Sequence, residues 1–235
     1  MTAAIPLNFA DAMLVPVDPG PVAELVARLD LGGGGIGEIR PKWNSDLVWL
    51  SAANAQQFDL FEQAFEALGV ANHVRDRLDL AERPHLYSGF LLRRSRCELP
   101  DFHTDWRQCD GQAFTFITAV SDARDGFGLL YRDADGRIAS YDYRPDQGIM
   151  FGDDFSHSTR PGVSEQPVTL LCFEFGSDKM RYWKQIYSCI AGQSVLVKRP
   201  DGKLMPSLPP PWSRWRSRIA RRLPRLARWA KALIR

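Results

Sequence analysis

Six short segments that alternate apolar and polar residues follow Pro84, with turn residues between them. They cover residues 86–97, 113–120, 128–132, 138–143, 148–151 and 167–175. The intervening segments contain Asp-Gly and Pro-Asp pairs, which favour tight turns. Short strands at this spacing pair with antiparallel neighbours, so the sequence predicts a β-sandwich or a β-barrel.

Helical patterns lie on both sides of this β region. Helices are predicted over 22–29 and 56–80, the second with an apolar stripe that should pack against a sheet, and another helix over 180–190 precedes a small hairpin around Asp201. The 235 residues are 45% hydrophobic and suffice for one compact domain. We therefore expect an N-terminal helical support (1–83), a β core (84–178), a helix and hairpin that complete the domain (179–208), and a C-terminal tail (209–235).

Two of the four histidines lie near carboxylates at the ends of predicted strands. His103 and Asp105 occur in the segment FHTDW, and His157 follows 52 residues after Asp105. Residues i and i+2 of a strand share a face, so His103 and Asp105 should point the same way. Two histidines and one carboxylate are the ligand set of non-haem Fe(II) oxygenases, although Zn²⁺ or Mn²⁺ accept the same ligands. Asp153 and Asp154 are alternative carboxylates, and Asp105 is preferred because its spacing needs no bend.

FHTDW followed by FGDDFSHSTRPG resembles the HxD…H motif of the Fe(II)/2-oxoglutarate-dependent dioxygenase superfamily. The resemblance covers roughly residues 84–175 and assigns His103, Asp105 and His157 as metal ligands and catalytic residues. It implies an α+β, mainly β fold with a double-stranded β-helix (jelly-roll, cupin-like) core. It also implies Fe(II) as cofactor, and 2-oxoglutarate and O₂ as co-substrates. Members of the superfamily couple oxidative decarboxylation of 2-oxoglutarate to hydroxylation of an unactivated C–H bond.

The sequence departs from this superfamily at the co-substrate carboxylate. Many members carry Arg or Lys about ten residues after the distal histidine, but here that stretch reads SEQPVTLLCFEFG and has no basic residue. A buried carboxylate needs a charged partner or several donors. Candidate partners are Arg160, in the turn after His157, and Arg94 and Arg96, which share one face of their predicted strand. The Tyr131 hydroxyl, together with that of Thr115 or Thr118, is a further candidate. We expect Trp106 and Phe155, which flank the ligands, to be packing residues.

The chain consists of an acidic body and a basic C-terminal tail. The formal net charge is +2, yet nine of the 30 basic residues and none of the acidic ones lie in 212–235, which leaves 21 basic against 28 acidic residues in 1–211. Apolar residues recur in the tail at spacings of three or four among the arginines, and Pro224 divides it into two predicted helices. A basic amphipathic helix with tryptophans predicts binding to an anionic membrane surface through residues 212–235. The alternatives are packing on the domain or binding to a protein partner, and nucleic-acid binding. Nucleic acid is not expected because the acidic body would repel phosphates.

The leading hypothesis is a cytoplasmic dioxygenase, peripheral on the inner face of the membrane, that hydroxylates a substrate presented there. No secretion signal, membrane-spanning segment or CxxC pair is found in the sequence, which predicts a reducing cytoplasm. A lipid-linked saccharide or lipid A precursor would suit such a location. One alternative is a soluble dioxygenase acting on a small metabolite or a protein side chain. The other is a non-enzymatic jelly-roll binding protein with a metal and a docking tail.

Overall fold

Two antiparallel sheets face each other in the computed structural model, which describes residues 4–9, 11–31, 35–41, 44, 46–121 and 127–207. Within these residues the larger sheet has eight strands, in the order β1 (Ile5–Pro6), β2 (Met13–Pro16), β9 (Gln147–Phe151), β6 (Ala113–Ala119), β11 (Gly162–Gly176), β5 (His85–Cys97), β4 (Val48–Ser51) and β3 (Gly37–Ile39). The smaller sheet has the order β10 (His157–Thr159), β7 (Gly128–Arg132) and β8 (Ile138–Asp142). This arrangement confirms the predicted fold, which is mainly β with a double-stranded β-helix core.

Apolar side chains from both sheets fill much of the space between them, and a cavity remains at its open end. Ile117, Phe151 and Cys172 come from the larger sheet, and Leu129 and Tyr131 from the smaller one. All five are buried because alternate residues of each strand point inward. The open end of this interior contains the candidate site.

Two helices cover the outer face of the larger sheet. They are α1 (Pro19–Leu29), which begins at the N-cap residue Asp18, and α2 (Ala55–Leu68), which begins at Asn54. Phe61 of α2 packs against Gly89 of β5, where an added Cβ would lie only 2.7 Å from the Phe61 ring. The apolar stripe therefore packs on the sheet, as predicted.

The helix predicted over 56–80 is shorter than expected. It ends at Gly69, whose φ of 60° closes the helix in the left-handed conformation. Short 3₁₀ helices follow at Val70–His73 and Arg75–Arg77. Val70 and Val74 are buried there, so the apolar periodicity continued although the helix did not.

The predicted strands after Pro84 all occur, with small changes in their bounds. The last one is longer than expected, since β11 begins at Gly162 and its pairing with β5 is irregular between Val163 and Val168. Residues 1–83, expected to be helical, also contribute the strands β1 to β4, which are only two to four residues long. The helix α3 (Met180–Ile190) and the hairpin of β12 (Leu196–Lys198) and β13 (Leu204–Pro206) match the prediction. The predicted segment boundaries at 83/84, 178/179 and 208/209 stay predictions.

Among the described residues, none of the helices combines the length and apolar character needed to cross a bilayer. The basic tail predicted over 209–235 lies outside the described residues.

Candidate metal centre

His103, Asp105 and His157 meet at the open end of the two-sheet interior. The prediction that His103 and Asp105 end a regular strand is wrong, because β5 stops at Cys97 and His103 forms only an isolated bridge with His157. In this bridge the backbone N–H of each histidine donates to the carbonyl oxygen of the other, at 2.9 Å in both directions. This bridge, rather than a regular strand, fixes the positions of His103 and His157 relative to each other.

The potential ligand atoms of the three side chains lie close together but are not hydrogen-bonded to one another. Asp105 Oδ1 lies 3.7 Å from Nε2 of His103 and 3.7 Å from Nε2 of His157. One possible ligand atom from each residue lies within 4.8 Å of the other two. Distances of this size exceed those of ordinary hydrogen bonds but suit three ligands around one ion.

Both imidazoles are oriented for metal binding by their second nitrogen. His103 Nδ1 lies 2.8 Å from the carbonyl oxygen of Asp101, and His157 Nδ1 lies 3.1 Å from that of Phe155. An N–H on Nδ1 leaves the lone pair of Nε2 facing Asp105, which is the tautomer that metal-bound histidines adopt. Burial lowers the pKa of His157, which keeps its imidazole neutral and able to bind a cation.

Two consecutive side-chain hydrogen bonds through Thr115, a residue of the larger sheet, hold Asp105 in place. The Thr115 hydroxyl donates to Asp105 Oδ2 at 2.9 Å, and Trp106 Nε1–H donates to the Thr115 oxygen at 2.9 Å. One carboxylate oxygen is thereby fixed, and the other is left toward the histidines. The donor set, its orientation and its buried support fit a divalent metal such as Fe(II).

The other residues that flank the ligands have structural roles. Trp106 and Phe155 are buried, as the packing prediction expected. Phe155 stacks at 4.6 Å on Phe151 and at 5.8 Å on the His157 ring.

Among the described residues, neither of the alternative carboxylates, Asp153 and Asp154, belongs to the group around His103. Asp153 instead accepts hydrogen bonds from the backbone N–H groups of Cys109 and Gly111.

A cavity of about 350 Å³ adjoins the ligands. Such a volume is within the range of small-molecule sites. Its apolar walls come from strands of the larger sheet and the segment before β4, and they include Leu47, Trp49, Phe90, Leu92 and Ile117.

Arg94 is the predicted carboxylate partner that lines this cavity. Its side chain is only 8% exposed, and its Nη1 donates to the Thr159 hydroxyl at 2.8 Å. Asp46 is a loose ion-pair partner, with 3.9 Å between Arg94 Nε and Asp46 Oδ2. Nε also donates to the carbonyl oxygen of Arg96 at 3.3 Å. A guanidinium has five N–H donors, so donors remain for a ligand.

The remaining predicted partners lie elsewhere. Arg96 is exposed and pairs with Glu98, and Arg160 pairs with Asp142 at 2.7 Å; neither lines the cavity. Tyr131 is buried on β7 and stacks at 5.4 Å on Phe155.

Only one of the two candidate threonines, Thr115 and Thr118, lines the cavity. Thr118 Oγ1 lies within hydrogen-bonding distance of the carbonyl oxygens of Arg144 and Gln147, whereas Thr115 lines the cavity. Of the proposed donors to the co-substrate, the cavity thus brings Arg94 and Thr115 together with the ligands.

Glu174 is a cavity residue that the sequence reasoning missed. It lies on β11, is 1% exposed, and pairs across strands with Thr115 and Ser88. Burial raises its pKa well above the ordinary value, and the negative charge of Asp105 adds to this. Its Oε2 has no hydrogen-bond partner within the described part of the chain. The signal that could have identified it is a single acidic residue within the apolar run LLCFEFG.

Comparisons with known proteins give structural likeness and no sequence match. No family model and no curated protein sequence matches this chain. The solved structure of HygX from Streptomyces hygroscopicus with nickel and 2-oxoglutarate bound has a TM-score of 0.54 at 14% identity, over 71% of this chain and 83% of that one. The same enzyme has also been solved with hygromycin B bound.

Two further structures have the same architecture. The non-heme alpha ketoglutarate dependent epimerase SnoN from nogalamycin biosynthesis gives a TM-score of 0.55 at 14% identity, over 72% of this chain and 79% of that one. An oxidoreductase of the 2OG-Fe(II) oxygenase family from Burkholderia pseudomallei gives 0.50 at 14% identity, over 71% and 85%. At these identities the likeness is one of fold. The chain therefore has the double-stranded β-helix fold of the 2-oxoglutarate- and Fe(II)-dependent oxygenases.

Proposed function

We propose that this protein is an Fe(II)- and 2-oxoglutarate-dependent dioxygenase that hydroxylates an unactivated C–H bond. The observation that carries the proposal is the convergence of His103, Asp105 and His157 with the buried cation Arg94 in one cavity. The ligand set suits Fe(II), and the arginine suits the distal carboxylate of 2-oxoglutarate.

The position of Arg94 supports its role as the carboxylate partner. Superfamily members carry a basic residue about ten positions after the distal histidine, which here corresponds to Pro167 or Val168. Val168 is the cross-strand partner of Arg94 in the pairing of β11 with β5. Side chains of paired residues lie on the same face of a sheet, so Arg94 reaches the space that a basic residue at 168 would occupy.

The residues of this chain would divide the work as follows. His103, Asp105 and His157 would hold the metal, which when bound supplies the redox chemistry that couples O₂ and 2-oxoglutarate to hydroxylation. Arg94 would orient the co-substrate through a charge-assisted, forked hydrogen bond. The apolar walls around Trp49 and Phe90 would exclude water from the reacting groups.

Succinate formation from 2-oxoglutarate tests the activity. The purified protein is incubated with Fe(II), ascorbate and O₂, beside His103→Ala and the surface variant Arg96→Ala. We expect substrate-independent turnover to be slow, abolished by His103→Ala and unaffected by Arg96→Ala. If the wild type neither forms succinate nor binds 2-oxoglutarate by calorimetry, the non-enzymatic binding protein is the better description.

The substrate is proposed to be presented at a membrane surface, as for a lipid-linked saccharide or lipid A precursor. This part is supported by the tail sequence alone, with nine basic and no acidic residues in 212–235. Peripheral, cytoplasmic attachment follows from the same proposal.

Liposome co-sedimentation tests the membrane proposal. The full chain is compared with a variant in which Arg221, Arg222 and Arg225 are glutamines, on phosphatidylglycerol and on phosphatidylcholine vesicles. We expect binding to phosphatidylglycerol only, and weaker binding by the variant. Equal sedimentation of both proteins on both lipids would refute attachment through the tail charge.

A soluble small-molecule dioxygenase is the second candidate. HygX, whose fold this chain shares, is described with hygromycin B bound, and the cavity here has a volume suited to small ligands. Stimulation of succinate formation by soluble compounds, without vesicles, would favour this candidate over the membrane substrate.

A further inference from the structure

Two of the four cysteines face each other between α3 and the segment that precedes β6. Cys109 lies in the loop between Trp106 and β6, and Cys189 lies on α3; their Sγ atoms are 3.9 Å apart. Both are free thiols, Cys109 buried and Cys189 partly exposed. Cys189 is therefore the more accessible residue of the pair.

The surrounding contacts hold the two sulfurs in this arrangement. Asp153 Oδ2 accepts the backbone N–H groups of Cys109 and Gly111 at 3.0 and 3.1 Å. From α3, Gln185 Nε2 donates to the carbonyl oxygen of Arg107 at 2.6 Å. A disulfide bond is about 2.0 Å long, so the two sulfurs, 3.9 Å apart, would have to approach each other by about 2 Å.

The local environment also makes one thiol more reactive than the others. The hydrogen bond with Cys109 lowers the pKa of Cys189 to about 7, although burial opposes this effect. Thiolates are the attacking form of cysteine. In contrast, burial raises the pKa of Cys97 and of Cys172.

We propose that Cys109 and Cys189 are a redox-sensitive pair that a peroxide converts into a reversible disulfide. The Cys189 thiolate attacks one oxygen of hydrogen peroxide, forms a sulfenic acid and releases hydroxide. The Cys109 sulfur then attacks the Cys189 sulfur, and the sulfenic hydroxyl leaves with the Cys109 proton as water. In total, two thiols and one peroxide give one disulfide and two waters.

The bond would connect α3 with the loop that begins at the metal ligand Asp105. Cys109 follows Asp105 by only four residues in the sequence. The modification is independent of the proposed function, because it needs neither iron nor 2-oxoglutarate. An intracellular thiol such as glutathione would reverse it by exchange.

Peptide mass spectrometry tests the pair in the folded, full-length protein. The reduced protein is freed of metal with a chelator, treated with hydrogen peroxide, alkylated with iodoacetamide and digested with trypsin. Each of the four cysteines falls in a different tryptic peptide, so every pairing is distinguishable. We expect the Cys109 and Cys189 peptides to be linked, the link to disappear with dithiothreitol, and the peptides of Cys97 and Cys172 to stay unlinked.

Two variants check the order of the steps. Cys97→Ser should form the link as the wild type does, whereas Cys109→Ser should leave a Cys189 sulfenic acid that dimedone traps. Full alkylation of Cys109 and Cys189 after peroxide treatment, or links distributed among all four cysteines, would overturn the proposal. Because the wild type alone gives this result, the test does not depend on a variant folding.

Discussion

Replacing Arg94 by alanine should weaken 2-oxoglutarate binding far more than replacing any other arginine near the site. The Arg94 side chain is 8% exposed and donates to the Thr159 hydroxyl at 2.8 Å and to the Arg96 carbonyl oxygen at 3.3 Å, while Asp46 lies at the longer distance of 3.9 Å. At this distance Asp46 compensates the charge of Arg94 only in part. We therefore expect the remaining N–H groups of the guanidinium to bind the carboxylate of 2-oxoglutarate.

The size of the effect follows from the burial of the guanidinium. Removing one partner of a buried, hydrogen-bonded charge pair costs about 2–5 kcal/mol. The co-substrate would keep its contacts with the metal, and we expect the lower half of this range, a rise in Kd of about 30- to 300-fold. Arg94→Lys keeps the charge but loses the forked geometry and should lie between the wild type and Arg94→Ala.

Anaerobic calorimetry with Ni²⁺ in the site and 2-oxoglutarate as titrant measures these constants. Arg96→Ala is the matched control, since Arg96 lies two residues away on the same strand, is exposed and pairs with Glu98. Thermal unfolding of each variant checks that the fold is intact. Unchanged binding by a folded Arg94→Ala, or an equal loss in Arg160→Ala, would refute the assignment of Arg94.

Two further predictions concern the support of the site. Thr115→Val removes the hydroxyl that donates to Asp105 and should lower the affinity for Ni²⁺ by about 10- to 100-fold, measured by competition with a chelator, whereas Thr115→Ser should retain it. Glu174→Gln should change how stability depends on pH in the metal-free protein. Because burial raises the folded-state pKa of Glu174, the wild type loses stability as the pH rises from the ordinary value of 4.5 toward the raised one. The glutamine variant lacks this loss. In urea unfolding at pH 5, 6 and 7, its free energy of unfolding should therefore rise relative to that of the wild type by up to about 1.4 kcal/mol per pH unit. If the two proteins had the same pH dependence of unfolding free energy, the buried neutral carboxyl would be contradicted.

The core strands could be predicted from sequence because their signals are local. Period-two alternation and Asp-Gly turns gave segments such as 113–120 and 128–132, which the structure matches within a residue. The strands β1 to β4 could not be predicted in this way. They have two to four residues each, and they exist because the edges of the larger sheet lie beside them.

The grouping of the three candidate ligands could be predicted from the sequence, whereas their supporting residues could not. The types and spacing of His103, Asp105 and His157 indicated that these side chains lie together, although the local strand expected for FHTDW does not form. The choice among Arg94, Arg96 and Arg160 depends on which strands become neighbours, and the pairing of Arg94 with Val168 is a contact between residues 74 apart in the sequence. No local pattern contains that information.

The paired backbone hydrogen bonds between His103 and His157 have a consequence for metal exchange. Because these bonds join backbone groups and leave the side-chain ligand atoms uninvolved, they can order the two segments whether or not a metal is bound, and metal binding should then cost little conformational entropy. Loss of the metal should then leave the polypeptide folded and ready to be reloaded. Slow amide hydrogen exchange at both histidines in the metal-free protein would be the sign of such a preorganised site.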